Sequence, residues 1–201
     1  MLRVGLTGGL GSGKSFVGRA LAEMGCFLIQ ADELGHQVLR KGAEAYDGVV
    51  AQFGRGILGE DGEIDRRKLA AIVFEDAAKL EELTALVHPP VRERERRLAD
   101  EYTREHPEGI VVVEAAILVE TGGWKNYDRL IVAVCEPAQQ LERAIGRDGI
   151  TLEEAQARLR WQLPLSEKLK LADYVIDTSG AKEHTLEQTR SVYRELQSIL
   201  L

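Results

Sequence analysis

Residues 8–15 are Gly8-Gly9-Leu10-Gly11-Ser12-Gly13-Lys14-Ser15. This octapeptide matches the pattern GxxxxGK[ST], and it lies between a β-branched segment at residues 3–6 and a segment of helical period at residues 15–24. A strand, a glycine-rich loop and a helix in this order form a P-loop, in which backbone N–H groups surround phosphate oxygens. In a P-loop the Lys14 side chain reaches the β- and γ-phosphates, and the Ser15 hydroxyl binds Mg²⁺. The octapeptide therefore predicts a nucleotide site.

Apolar, β-branched segments recur along the chain and alternate with segments of helical period. They are too continuous for strands with one face in water, so they indicate strands that are buried on both faces. These predicted strands are residues 3–6, 26–29, 110–113, 130–134 and 174–176. The predicted helices are residues 15–24, 66–73, 77–87, 91–105, 138–146, 152–162 and 184–201. This alternation predicts an α/β fold of the three-layer P-loop NTPase type with a five-stranded parallel sheet.

The length of 201 residues favours one domain with inserted regions over two independent domains. The predicted core comprises about residues 1–31, 108–142 and 172–201. A mostly helical insertion occupies about residues 32–107, where residues 56–64 form one weak strand segment with a turn at Asp61-Gly62. Residues from about 143 to 171 form a short segment that is rich in basic side chains. We expect this segment to be mobile and call it the lid.

Composition excludes several classes of protein. The net charge of −7 argues against a nucleic-acid ligand, because neutralising a phosphate backbone needs a basic surface. Cys26 and Cys135 stand apart in apolar segments and have no metal-binding or CxxC spacing. No segment reaches the ~18 apolar residues of a membrane span, and the turn at Gly8 leaves no room for a signal-peptide core. We expect a cytoplasmic protein with reduced cysteines.

Two carboxylates follow predicted strands at the edge where open α/β sheets bind ligands. Glu114 ends the third strand, where P-loop enzymes hold a metal-bound water; the alternative is a solvated strand end. Asp32 stands just past the second strand, where a carboxylate can accept the proton of an acceptor hydroxyl that attacks the γ-phosphate. The alternative role for Asp32 is to cap the following helix.

Basic side chains are concentrated in the lid of an otherwise acidic chain. Arg143 and Arg147 lie four residues apart on one helix face. Further basic residues follow at Arg158, Arg160, Lys168 and Lys170. Guanidinium groups in a mobile segment can neutralise charge on a transferring phosphoryl group and exclude water; the alternative is a solvated helix face.

The insertion contains two further candidates. His88 precedes Pro89-Pro90, and a helix kink, a core position and a ligand all remain open for it. The basic triplet Arg66-Arg67-Lys68 is a candidate to face a phosphate of the acceptor.

Several motifs along nearly the whole chain resemble the dephospho-CoA kinase family. They are Gly5-Leu6-Thr7-Gly8-Gly9 with GSGKS, Ala31-Asp32, Arg66-Arg67-Lys68-Leu69 before Phe74, His88-Pro89, Leu118-Val119-Glu120-Thr121-Gly122, Arg147-Asp148-Gly149, Gln162-Leu163-Pro164-Leu165-Ser166-Glu167-Lys168 and the loop at residues 177–180. Three positions depart from the common family pattern. Gln30 replaces Asp, Glu114-Ala115-Ala116 replaces Asp-x-Pro, and Trp161 replaces a small residue.

The resemblance implies an enzyme that phosphorylates the ribose 3′-hydroxyl of dephospho-CoA with ATP and Mg²⁺, giving coenzyme A and ADP. It implies that the helical insertion binds the acceptor, that Asp32 acts on the 3′-hydroxyl, and that Arg143 and Arg147 are the lid arginines. The expected nucleotide-binding residues are Gly8, Gly9, Gly11, Ser12, Gly13, Lys14, Ser15 and Phe16 at the phosphates and Ser179 and Gly180 near adenine. The expected metal ligands are Ser15 and Glu114.

Two rival functions share parts of this pattern. A nucleoside or nucleotide kinase has the same loop, base and arginines and differs in the acceptor pocket. A non-catalytic nucleotide sensor binds ATP and changes conformation for a protein partner. A GTPase is disfavoured, because its NKxD motif is missing and Lys125-Asn126-Tyr127-Asp128 has the wrong order. We expect a small-molecule acceptor, neither a nucleic-acid nor a membrane partner, and a monomer or weak homo-oligomer.

Overall fold

The computed structural model describes residues 1–200 and contains a five-stranded parallel sheet. The strands are β1 Leu2–Gly8, β2 Phe27–Gln30, β3 Ile110–Glu114, β4 Arg129–Val134 and β5 Tyr174–Asp177. Their order across the sheet is β2-β3-β1-β4-β5, and each neighbouring pair is parallel. The predicted α/β fold with five parallel strands is therefore confirmed.

Nine α-helices accompany the sheet within residues 1–200. They are α1 Lys14–Glu23, α2 Ala31–Val38, α3 Tyr46–Phe53, α4 Arg66–Val73, α5 Ala77–Glu105, α6 Pro137–Asp148, α7 Leu152–Arg160, α8 Leu165–Leu169 and α9 Lys182–Ile199. Short 3₁₀ helices occur at Arg55–Ile57 and Gly123–Asn126. In this part of the chain, none of the helices has the length and apolar character needed to cross a membrane.

The central strands form the core because their side chains are apolar on both faces. All five residues of β3 are buried. Leu6, Val112 and Ile131 join Val17 of α1 and Val192 of α9 in one buried cluster. Fully burying a side chain of this size contributes roughly 1.5–3 kcal/mol, so the sheet fixes the strand ends that carry the candidate site.

The chain divides into two compact units. One contains residues 1–30 and the chain from Ala99 onward, and it carries the whole sheet. The other is Ala31–Leu98, with its own buried cluster that includes Val38, Val49 and Ile57. The functional divisions proposed from the sequence, an acceptor-binding insertion at 32–107 and a lid at 143–171, stay predictions.

Two local predictions within the insertion were wrong. The separate helices at 77–87 and 91–105 are one helix, α5, with Pro89 and Pro90 inside it. Each proline removes one N–H donor, yet the apolar stripe of α5 continues past them to Val91 and packs on one buried cluster. The weak strand at 56–64 is only an isolated bridge between Leu58 and Ile64, with no partner strand to extend it.

Helix signals in the sequence were more reliable. Pro137 is the first residue of α6, as expected for a residue without an N–H. Thr151 and Glu154 form the predicted capping box at the start of α7.

Candidate active site

The phosphate loop joins the end of β1 to the start of α1, and its backbone permits only glycine at two positions. Gly11 and Gly13 have φ angles of +71° and +80°. A Cβ atom on Gly11 would lie 2.2 Å from the Gln140 carbonyl oxygen, and one on Gly13 would lie 2.7 Å from Thr178 Oγ1. The loop is therefore packed against α6 and the segment after β5, and α1 begins directly at Lys14. A helix N-terminus presents free N–H groups, which favours a bound phosphate.

A pocket of about 860 Å³ opens over this loop. Its size is typical of sites for small ligands. Its lining comprises Gly11, Ser12, Gly13, Lys14, Ser15, Phe16, Arg19, Gln30, Gln139, Glu142, Arg143, Gly146 and Arg147. Six of the predicted phosphate-binding residues and both predicted lid arginines thus face one cavity, and the Lys14 side chain is held there with only 6% of its surface exposed.

The other predicted nucleotide-binding residues lie outside this lining. Gly8 ends β1, where a Cβ would approach the Ala133 carbonyl oxygen to 2.5 Å. A Cβ on Gly9 would lie 2.6 Å from Gln140 Nε2. These two glycines therefore allow close packing beneath the loop.

Ser15, which lines the pocket, contacts Glu114 at the end of β3. Ser15 Oγ donates to Glu114 Oε1 over 2.5 Å, and Gln30 Nε2 donates to Glu114 Oε2 over 3.0 Å. The Glu114 carboxylate is 3% exposed, so the solvated strand end considered from sequence is wrong. A hydroxyl and a carboxylate are the oxygen ligands that Mg²⁺ prefers, usually with waters and substrate phosphates completing its shell. The residues present therefore fit a magnesium ion.

Arg143 is anchored to the segment that follows β5. Its Nη1 donates to Thr178 Oγ1 over 3.0 Å, and its Nη2 donates to the Thr178 carbonyl oxygen over 2.8 Å. Thr178 Oγ1 in turn donates to the Ser12 carbonyl oxygen over 2.9 Å. This chain of hydrogen bonds connects α6 to the phosphate loop, so Arg143 is held by a fixed support.

The predicted adenine loop is ordered by its neighbours. Ser179 Oγ accepts from the Glu136 N–H over 3.1 Å, and Gln139 Nε2 donates to the Ser179 carbonyl oxygen over 3.0 Å. The Ser179 N–H donates to Asp177 Oδ1 over 2.8 Å. Hydrogen bonds from Ser179 lower the pKa of the Asp177 carboxyl. Gly180 is exposed and has no atom within 4 Å of a virtual Cβ, and the contact of this loop with adenine stays a prediction.

Asp32 is the second residue of α2 and is exposed. It belongs to the unit Ala31–Leu98, and its role as base stays a prediction.

Lys168 is buried in an ion pair, whereas its charge suggested a place in an exposed basic patch. Its side chain is 1% exposed, and Nζ lies 2.7 Å from Glu120 Oε1. Sequence reasoning placed Lys168 in a basic patch and missed this buried ion pair. A signal for this pair was present in the sequence. Glu120 and Lys168 each belong to a motif shared with the family, and neither motif had been assigned a function.

These features define a P-loop kinase of the α/β class. A shikimate kinase from Acinetobacter baumannii has the same fold, with a TM-score of 0.52 at 18% identity over 99% of this chain and 94% of its own. A profile of the dephospho-CoA kinase family matches residues 2–183. The chain belongs to the dephospho-CoA kinase family.

Relatives agree over nearly the full length. A dephospho-CoA kinase of Aquifex aeolicus is 43% identical over 196 residues, which cover 98% of both chains. One from Geobacillus kaustophilus is 40% identical over 198 residues and 98% of both chains. Among solved structures, TT1252 from Thermus thermophilus has a TM-score of 0.79 at 33% identity, covering 96% of this chain and 97% of its own.

Proposed function

We propose that the protein transfers the γ-phosphoryl group of ATP to the ribose 3′-hydroxyl of dephospho-CoA, which yields coenzyme A and ADP. Membership of the dephospho-CoA kinase family supports the reaction and the acceptor. The observation that carries the proposal is the single pocket in which Lys14, Ser15, Arg143 and Arg147 meet. Phosphoryl transfer depends on positioning and charge stabilisation, and this pocket provides groups for both.

Each residue has a proposed task in this reaction. The backbone N–H groups of residues 11–16 and the Lys14 ammonium bind phosphate oxygens. Ser15 and Glu114 would hold Mg²⁺, which neutralises charge on the phosphates when bound. Arg143 and Arg147 lower the cost of charge that develops on the transferring phosphoryl group.

Asp32 is the proposed base. The acceptor 3′-oxygen forms a bond to the γ-phosphorus while the bond from that phosphorus to the ADP oxygen breaks, and the hydroxyl proton passes to the Asp32 carboxylate. The position of Asp32 in the chain, two residues after the carboxyl end of β2, supports this role.

The deciding experiment measures ADP release by the purified protein with Mg²⁺ and ATP, with and without dephospho-CoA. We expect ADP release that depends on the acceptor, and a product whose mass equals that of coenzyme A. Turnover with nucleosides or nucleotides in place of dephospho-CoA would favour a nucleotide kinase. Tight ATP binding without turnover with any acceptor would favour a sensor.

We also infer that the protein acts in the cytoplasm as a monomer or a weak homo-oligomer. Donor and acceptor are small molecules, so a partner chain is not required by the proposed chemistry. Light scattering at several protein concentrations tests the oligomeric state.

A further inference from the structure

A side chain of the segment that connects α7 to α8 contacts the phosphate loop. Gln162 Oε1 accepts a hydrogen bond from the Leu10 N–H over 2.9 Å. Leu10 stands in the middle of the loop, and the virtual Cβ of Gly9 is 3.7 Å from the same Gln162 oxygen. An N–H group in a glycine-rich loop has no helix or sheet partner of its own. Gln162 therefore fixes a part of the loop that would otherwise be free to adopt several conformations.

The next residue, Leu163, is hydrogen-bonded to a different segment. The Leu163 N–H donates to Glu120 Oε1 over 2.9 Å, and the same oxygen lies 2.7 Å from Lys168 Nζ. Lys168 Nζ also donates to the Ala116 carbonyl oxygen over 3.0 Å. One carboxylate oxygen thus holds both ends of residues 163–168 to the segment that follows β3.

Burial makes this attachment strong. The side chains of Lys168 and Glu120 are 1% and 13% exposed. Removing one partner of a buried pair leaves an uncompensated charge, which is strongly destabilising. The Ala116 carbonyl oxygen also accepts from Thr7 Oγ1 over 3.4 Å, so the attachment reaches the second-to-last residue of β1.

None of these groups is placed to touch the transferred phosphoryl group. The pocket lining over the phosphate loop does not include Gln162, Glu120 or Lys168. The Lys168 ammonium is surrounded by Glu120 and Ala116 and is almost fully enclosed. Their connection to the phosphate loop is the hydrogen bond from the Leu10 N–H to Gln162, so we expect their influence to pass through the backbone of the loop.

We propose that Gln162 is a positioning residue for the phosphate loop and that the buried Glu120–Lys168 pair acts through it. The ion pair fixes Leu163, Leu163 fixes the direction of the neighbouring Gln162 side chain, and Gln162 holds Leu10. The loop is thereby held in its phosphate-binding shape before ATP arrives, which lowers the ordering cost of binding. This inference rests on the proposed kinase function and adds residues that act from behind the loop.

The first test compares Gln162→Ala with Gln156→Ala, a control at an exposed position of α7. Losing one hydrogen bond to a loop N–H corresponds to about a tenfold change in affinity. In Gln162→Ala we therefore expect kcat/KM for ATP to fall about tenfold and the Kd of ATP to rise about tenfold. KM for dephospho-CoA and Tm should match the control.

A purely structural role for Gln162 predicts the opposite pattern, with a lower Tm and unchanged kinetics per folded molecule. That pattern, or identical behaviour of Gln162→Ala and Gln156→Ala, overturns the inference. Failure of the proposed function is distinct, because it appears as absent turnover in the unchanged protein. The ATP Kd still tests the positioning role in that case.

The second test asks whether the ion pair acts through Gln162. The double variant Glu120→Gln with Lys168→Met removes both charges and avoids leaving one of them buried alone. We expect it to weaken ATP binding in the otherwise unchanged protein and to have no further effect when Gln162→Ala is present. Independent effects that multiply in the triple variant would show that the pair does not act through Gln162.

Discussion

Ser15 Oγ lies 2.5 Å from Glu114 Oε1, and this hydrogen bond joins the first turn of α1 to the last residue of β3. Strand pairing sets this distance, because Glu114 is in register with Leu6 of β1 on one side and Gln30 of β2 on the other. The strand pairing therefore fixes the position of the carboxylate relative to the phosphate loop. A carboxylate placed in this way would need little reorganisation to bind a metal ion.

Replacing Glu114 with glutamine should weaken the binding of Mg²⁺ and so raise the Mg²⁺ concentration that the reaction needs. The amide keeps the shape and one acceptor oxygen but loses the charge that attracts the cation. We expect the Mg²⁺ concentration for half-maximal activity to rise about 10- to 100-fold, as measured by ADP release during Mg²⁺ titration. The control is Glu108→Gln at an exposed position. Equal Mg²⁺ dependence in the two variants would remove Glu114 from the metal site.

Replacing Gly11 with alanine should disrupt the phosphate loop. The residue has φ of +71°, and the new Cβ would lie 2.2 Å from the backbone oxygen of Gln140, which cannot rotate away. Strain of this kind costs about 1–3 kcal/mol, so we expect a lower Tm together with weaker ATP binding, by calorimetry and equilibrium titration. Gly56→Ala is the control, because that glycine is exposed and has no atom within 4 Å of a virtual Cβ. Normal ATP affinity in Gly11→Ala would show that the loop can shift.

The parts of the fold that follow from local chemistry were predictable from the sequence. Buried parallel strands need continuous apolar residues, and residues 110–113 supplied them in β3. The P-loop was predictable because its glycines are required by backbone geometry at Gly11 and Gly13. Glu114 could be placed at the sheet edge because it directly follows an apolar strand.

Features that depend on contacts between distant segments were not predictable. The attachment of Arg143 to Thr178 joins residues 35 positions apart, and neither residue type requires it. The Glu120–Lys168 pair likewise depends on where α8 packs. Pro89 predicted a helix end, but it lies inside α5. The sequence shows that proline removes a hydrogen bond, but it does not show how well the whole helix face packs.

The support beneath Arg143 gives a further prediction. Thr178 Oγ1 accepts from Arg143 and donates to the Ser12 carbonyl oxygen. Thr178→Val removes both hydrogen bonds with little change in volume, so we expect ATP affinity to fall about tenfold or more by equilibrium titration. Thr178→Ser retains the hydroxyl and should bind ATP nearly normally. Equal affinities for the valine and serine variants would show that the hydroxyl has no part in ATP binding.

His88 should make the folded state sensitive to mild acid. Burial, with a smaller contribution from the charge of Arg92, lowers the pKa of His88 below 6.5. As pH falls through 6.5, His88 therefore binds a proton in the unfolded chain but stays neutral in the folded chain. The free energy of unfolding decreases until the pH reaches the lower pKa of the folded state. We expect Tm to fall less on acidification in His88→Gln than in the unchanged protein, by calorimetry at a series of pH values. Parallel Tm profiles for the two proteins would contradict this assignment.

Asp32 offers the sharpest test of the proposed chemistry. Asp32→Asn keeps the size of the side chain but cannot take the proton of the 3′-hydroxyl, and general base catalysis contributes about 10²- to 10⁴-fold to a rate. We expect kcat to fall within that range while the Kd of ATP stays unchanged, because the phosphate-binding groups are on other residues.

The matched control for this variant is Glu33→Gln, which removes a neighbouring exposed carboxylate that lies 3.3 Å from His36 Nδ1. Loss of a general base should therefore lower kcat in Asp32→Asn, and kcat should stay near normal in Glu33→Gln. A kcat near normal in Asp32→Asn would mean that solvent accepts the proton. The contribution of the enzyme would then be the placement of ATP and the acceptor by Lys14 and the arginines, because phosphoryl transfer with a loose transition state needs little help from a base.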